Sequence, residues 1–204
     1  MIKKSKLEDQ IEGVSSYSEE LSLNLTKPND RFLWFLASIL FSNRISADIA
    51  LKTIKRFEEE ELSTPDKILE AGWDHLVQVL DSGGYTRYDF STATYLLDTM
   101  EKLKKEYGNL DEVHRQAEDP GDLENKLKEF KGLGPTGVNI FLRELRGKWE
   151  KAQHVPSKYA VEVAEKIGLD EVKKFESKLV RIYIDYCKKE KCENCPLKEY
   201  CKKD

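Results

Sequence analysis

The chain has 204 residues, 35% charged and 39% hydrophobic, with a formal net charge of −4. That length holds one large domain or two small ones with a real core, and the apolar periodicity that persists throughout argues against disorder. The acidic balance excludes a nucleic-acid binder that works by bulk charge, so any such binding must use a local basic surface or backbone donors. The longest apolar run, FLWFLASILF at 32–41, is too short to span a bilayer and reads as a buried helix. The start, MIKKSKLEDQ, shows no apolar secretory segment, which predicts a cytoplasmic protein, on the nucleoid in a prokaryote.

Taken in chain order, almost every segment reads as helix. Asp30 is expected to cap a helix through Leu33, Leu36, Ala37 and Leu40, and Ser46 another through Ile49, Ile54 and Phe57. The acidic run EEEEL at 58–62 reads as a solvated helix end. Ser63-Thr64-Pro65 begins a short helix, with proline where its missing N–H costs nothing. Asp74-His75-Leu76 opens the next, which stops at Gly83-Gly84. A long amphipathic helix runs from Tyr88 to Tyr107 and ends at Gly108. Further helices are expected over 122–130, 136–145, with Gly147 ending the latter, and 172–186, and Ser157 is a good cap for AVEVAEKIG. No convincing strand or internal repeat breaks this all-α pattern.

GLGPTG at 132–137 stands between two of these helices. Gly132 and Gly134 allow positive φ and close approach of another backbone, and Pro135 suits the first turn of the following helix. The N–H groups of Leu133, Gly134, Thr136 and Gly137 would point outward there and bind an anion, naturally a phosphate oxygen. Such a contact positions a nucleic-acid backbone without reading bases. A plain helix–helix turn with no ligand fits the same residues.

The four cysteines, Cys187, Cys192, Cys195 and Cys201, have the spacing C-x4-C-x2-C-x5-C. In a reducing compartment disulfides are the weaker explanation, and four clustered thiolates imply a metal. Zinc more often uses two short pairs separated by a longer loop, so one compact loop suits an iron–sulfur cube, with zinc the alternative. Its simplest role is to staple a loop with few apolar residues. Lys188, Lys189, Lys191, Lys198, Lys202 and Lys203 give this loop enough cations to touch a phosphate backbone.

A glycine hairpin followed by a four-cysteine loop resembles the endonuclease III-like helix-hairpin-helix DNA glycosylases. WFLASILFSNRISADIALKTIKRF (34–57) is similar to that family's first core helix and the loop after it, with Ser42-Asn43 where the family inserts a side chain near the extruded base. Residues 63–100 resemble the next segment, including its Gly-x-Tyr-x-x-Lys/Arg turn at Gly84 to Tyr88, and FKGLGPTGVNIF (130–141) resembles the hairpin. The resemblance spans about residues 28–204.

It implies a two-lobed, all-helical fold: a helical barrel at 28–146 that includes the hairpin at about 123–146, and a second lobe of 1–27 with 147–204 that carries a [4Fe–4S] cluster on the four cysteines. It implies a monomer that binds bent double-stranded DNA, damaged or distorted, with a nucleotide flipped into a pocket. Lys131, Gly132, Leu133, Gly134, Thr136, Gly137, Asn43 and Arg87 are the DNA-contacting candidates.

Two places depart from the family. Thr136 stands where bifunctional members carry the imine-forming lysine, and a hydroxyl cannot form an imine. Pro156, in HVPSK, stands where they carry an aspartate that activates the nucleophile or stabilises the sugar cation. The first cysteine gap is also four residues where the family usually has six. Lys158 and Glu162 are the candidate substitutes, although both also read as ordinary helix-surface residues. The resulting expectation is a DNA-binding member of a base-excision-repair superfamily. Its alternatives are an N-glycosylase or AP lyase with a relocated active site, or a reader of damaged DNA that does not cut.

Overall fold

The computed structural model describes residues 2–202, and these are all-helical. The helices are α1 (Ile2–Glu12), α2 (Tyr17–Glu20), α3 (Pro28–Phe41), α4 (Ala47–Glu59), α5 (Pro65–Ser82), α6 (Asp89–Glu106), α7 (Leu110–Gln116), α8 (Pro120–Lys128), α9 (Pro135–Leu145), α10 (Lys158–Ile167) and α11 (Val172–Asp185). Two 3-10 turns follow, at Cys187–Lys189 and Cys192–Asn194. Lys203 lies outside the described residues. The chain divides into two compact units, one joining residues up to Glu20 to those from Val155 onward, the other running from Leu21 to His154.

In the unit from Leu21 to His154, α3 is the central element. Every residue from Arg31 to Leu40 is buried, because α3 is apolar on nearly all faces and neighbours cover each of them. Phe35 meets Phe130 and Phe141 edge-on, at centroid distances of 5.7 and 5.4 Å. The fully buried Trp34 donates its indole N–H to the Phe141 carbonyl at 3.2 Å, which ties α3 to α9. The one cation on this buried face is answered in full: Arg31 donates to both carboxylate oxygens of Asp111, at 3.0 and 2.7 Å, and to the Leu25 carbonyl.

Two expectations about helix ends are corrected and one is met. Lys27, not Asp30, is the cap of α3. Pro28 occupies the first turn, and Asp30 sits inside it, accepting from Asn24 N–H at 2.8 Å. The two helices expected from Pro65 and from Asp74 are found as the two halves of α5, parted at Gly72 (φ 72°, ψ 174°), a positive φ that glycine adopts without cost. The helix expected from 122 starts two residues earlier, behind Asp119, whose carboxylate accepts from Asp122 N–H. Ser46, Thr64 and Ser157 cap their helices as their side chains predict.

The other unit packs α1, α10 and α11 around Leu7, Ile11, Val163, Ile167, Phe175 and Leu179, and Leu197 roots the cysteine loop in this core. Lys178 pairs with Glu12 and Glu19, and Arg181 pairs with Glu20 while covering the Tyr17 ring. The buried Glu176 accepts the Ser157 N–H at 2.8 Å, which adds a second acceptor at the start of α10.

Candidate functional site

The glycine turn between α8 and α9 is held from beneath. Ser42, at the end of α3, donates to the carbonyls of Ile39 (2.7 Å) and Gly132 (3.1 Å). Thr99 of α6 donates to the Lys131 carbonyl at 3.0 Å. Gly132 has φ 80°, and a Cβ there would stand 3.1 Å from Ile39 Cγ2, so both its conformation and its surroundings call for glycine. Gly137 is favoured for another reason. A Cβ would meet Leu133 Cδ1 at 2.8 Å, so any larger residue would require the buried Leu133 side chain to shift.

Gly134 caps α9 with no side-chain acceptor, and the first turn of α9 has no acidic residue. Every other helix of this unit has a side-chain cap or an acid in its first turn: Asp30 in α3, Ser46 at α4, Thr64 at α5, Asp89 in α6, Asn109 at α7 and Asp119 at α8. The amino end of α9 therefore keeps its partial positive charge, and Gly134, Pro135 and Thr136 are exposed around it. One expected donor is corrected: the Leu133 N–H closes the turn on the Phe130 carbonyl at 3.1 Å, and its side chain is buried.

The remaining candidates are placed as follows. Lys131 pairs with Asp98 at 2.6 Å while 62% exposed, so a phosphate would compete with that carboxylate. Asn43 turns its amide inward, donating to Tyr85 Oη at 2.7 Å and to the Ile39 carbonyl. Tyr85 is fully buried, and that burial pushes its phenol up from the ordinary value. Arg87 is exposed and lies over the Tyr88 ring. Thr136 is exposed at the hairpin.

In the other unit, Pro156 lines a pocket of about 490 Å³ with Asp170, Glu171, Val172, Lys173 and Lys174. Two carboxylate residues, Asp170 and Glu171, thus share a pocket with Pro156. The sequence carries one signal for this: Asp170 is the first aspartate after Asp122. Lys158 is exposed at the start of α10 and lies over the Tyr159 ring. Glu162 pairs with Lys166 at 2.7 Å.

All four cysteines line one cavity of about 640 Å³, together with Lys166, Tyr186, Glu193 and Lys198, among others. Each 3-10 turn starts on a cysteine, and the four-residue first gap closes with Glu190 at φ 56°. Burial pushes the Cys187 and Cys195 thiols up, and at Cys187 the Lys166 ammonium works against that. Among the described residues, no three His, Cys, Asp or Glu side chains are grouped so as to hold a metal ion. No helix among them is long and apolar enough to cross a membrane.

No protein-family model matches the chain. A protein of Methanocaldococcus jannaschii named "Putative DNA repair glycosylase" is 26% identical over 174 residues, covering 74% of this chain and 76% of that one. The name of that relative agrees with the glycosylase resemblance of the sequence. Among solved structures, the Helicobacter pylori 3-methyladenine DNA glycosylase bound to 1,N6-ethenoadenine is 16% identical, with a TM-score of 0.47, and the match covers 84% of this chain and 85% of that one.

Proposed function

We propose that the chain binds double-stranded DNA, damaged or distorted, through the glycine turn and the amino end of α9, as a divergent relative of the repair glycosylases. The observation that carries this is the α9 terminus, which has neither a capping side chain nor an acid while every other helix of its unit has one or the other. A phosphate oxygen supplies the missing acceptor and meets the dipole with the favourable sign. The lysines of the cysteine loop add sequence-independent attraction, which the net charge of −4 does not supply. Standard imine chemistry has no amine at Thr136.

The cysteine loop belongs to the same proposal, as the holder of a [4Fe–4S] cluster. The donor set is all sulfur, and it surrounds a cavity. A single tetrahedral zinc needs sulfurs about 3.8 Å apart, given bonds of roughly 2.3 Å, and more often draws them from two short pairs separated by a longer loop. A four-iron cube spreads its thiolates around a larger group, which is what a cavity wall offers. When bound, it would supply a four-point cross-link and a one-electron couple. Cys187, Cys192, Cys195 and Cys201 would be its ligands, and Leu197 would anchor the loop that presents them.

One observation favours a second function, excision of a damaged base from a relocated site: the pocket at Pro156 contains Asp170 and Glu171. A carboxylate there would stabilise a developing sugar cation. The two functions separate in one experiment. Protein purified without oxygen is incubated with duplexes carrying uracil, oxidised pyrimidine, 8-oxoguanine, alkylated purine or an abasic site, then treated with alkali. Binding in gel shift with no strand breakage above the protein-free control is the expected result. Breakage that disappears in Asp170→Asn, Glu171→Gln, Lys158→Ala or Glu162→Gln would establish the relocated enzyme instead.

A further inference from the structure

Glu162 is a surface carboxylate by its place in the sequence, but its partner gives it another context. Lys166, one turn further along α10, takes its carboxylate at 2.7 Å, and the same lysine lines the cysteine cavity. The backbone of Lys166 reaches that loop too, since its carbonyl accepts the Lys202 N–H at 2.8 Å, directly after Cys201. Lys198 and Lys202 also line the cavity, but both are exposed and both belong to the loop itself. Lys166 is 37% exposed and stands on a helix whose opposite face, Ala160, Val163, Ala164 and Ile167, is buried. It is therefore the cavity's best-anchored cation, and Glu162 partly neutralises it.

We propose that the Glu162–Lys166 pair sets the electrostatic potential at the cysteine cavity and, with it, the reduction potential of the cluster held there. The inference rests on the iron–sulfur assignment made above. Four thiolates make the bound cluster net anionic, and one-electron reduction makes it more so, with no bond broken and no proton moved. A nearby ammonium favours the more negative state and raises the potential, and a carboxylate at the same place lowers it. Lys166 and Glu162 act in opposite senses, with Lys166 dominant because it lines the cavity. Both are positioning residues: neither needs to touch iron or DNA.

The test is a redox titration of the full chain, purified without oxygen, with dithionite as reductant and the reduced cluster counted by electron paramagnetic resonance. Lys166→Met is expected to lower the reduced-to-oxidised ratio at fixed poise about tenfold, which for a one-electron couple is about 59 mV in the negative direction. Glu162→Gln should move the ratio the other way by a smaller factor, and Lys166→Arg, which keeps the charge, should stay near the parent. Loosened packing would shift both neutral variants in one direction, so shifts of the same sign, or none, would overturn the proposal. If Lys166→Met loses its iron, Glu162→Gln carries the test alone, and an unchanged ratio there is the overturning result. A parent protein without iron or labile sulfide would remove the cluster assignment itself, and the inference with it.

Discussion

Trp34→Ala is expected to lower the stability of the chain by roughly 3–5 kcal/mol, the range for removing a large aromatic from a core that cannot collapse around the gap. Trp34 is fully buried, and its ring lies 6.1 Å from that of Phe41. Its indole N–H is the link from α3 to the Phe141 carbonyl of α9, so the substitution also removes that tie between the two helices. Trp34→Phe removes the hydrogen bond but keeps much of the volume, and should cost about 1–3 kcal/mol. Urea denaturation read by circular dichroism separates the two: the midpoint should fall in that order with the slope unchanged. Because α9 carries the hairpin's donors, DNA affinity in Trp34→Ala should fall along with stability. A midpoint within error of the parent would mean that α3 does not hold α9 as described.

Cys195→Ser is the second large effect. From Cys187 to Cys201 only Leu197 is fully buried, and burying one leucine contributes about 1.5–3 kcal/mol. Ordering a backbone costs on the order of 1–2 kcal/mol per residue, so a loop of this length needs a cross-link as well as one apolar anchor. On the proposed cluster assignment, losing one of four thiolates should release the cluster and unfasten the segment. The iron content should drop from about four per chain to below one. Trypsin, at a concentration that leaves the parent intact, should then cut at Lys188, Lys189, Lys191 or Lys198, all exposed. Undiminished iron together with unchanged protease resistance would show that Cys195 is no ligand.

Much of the fold was legible in the sequence because its signals are local. Ser46, Thr64 and Ser157 cap helices through their own hydroxyls, and Gly108 and Gly147 stop helices with positive φ. These are decided within a turn or two of chain. The misplaced features depend on competition between neighbours. Asp30 has the chemistry of a cap, but Pro28 starts the helix, moves the cap three residues earlier to Lys27, and leaves the Asp30 carboxylate to Asn24. Asp122 likewise lies inside α8, because Asp119 three residues before it caps the helix.

The candidate site divides in the same way. The hairpin's glycines and the cysteine spacing are visible as residues. What each side chain faces is not visible, because it depends on partners distant in sequence. Lys131 finds Asp98 and Asn43 finds Tyr85, 33 and 42 positions away. The contact of Lys166 with the cysteine cavity arises from packing of α10 beside the loop. Asp170 shares a pocket with Pro156 only because the chain folds back over one whole helix.

The most direct test of DNA binding through the hairpin is the affinity of Gly134→Pro for a short fluorescent duplex, followed by anisotropy across a salt series. Gly134 has φ −75°, within proline's range, and a Cβ there meets nothing within 4 Å. Its N–H is therefore removed without disturbing the packing around it, and the melting temperature should stay that of the parent. Gly134→Ala, which keeps the N–H and adds only a Cβ into open space, is the control and should bind as the parent does. Losing one hydrogen bond to a charged oxygen should weaken binding by about 10–100-fold, equivalent to roughly 1.5–3 kcal/mol, with a shallower dependence on salt. An unchanged affinity in Gly134→Pro, an equal loss in Gly134→Ala, or no binding by the parent at low salt, would contradict the account.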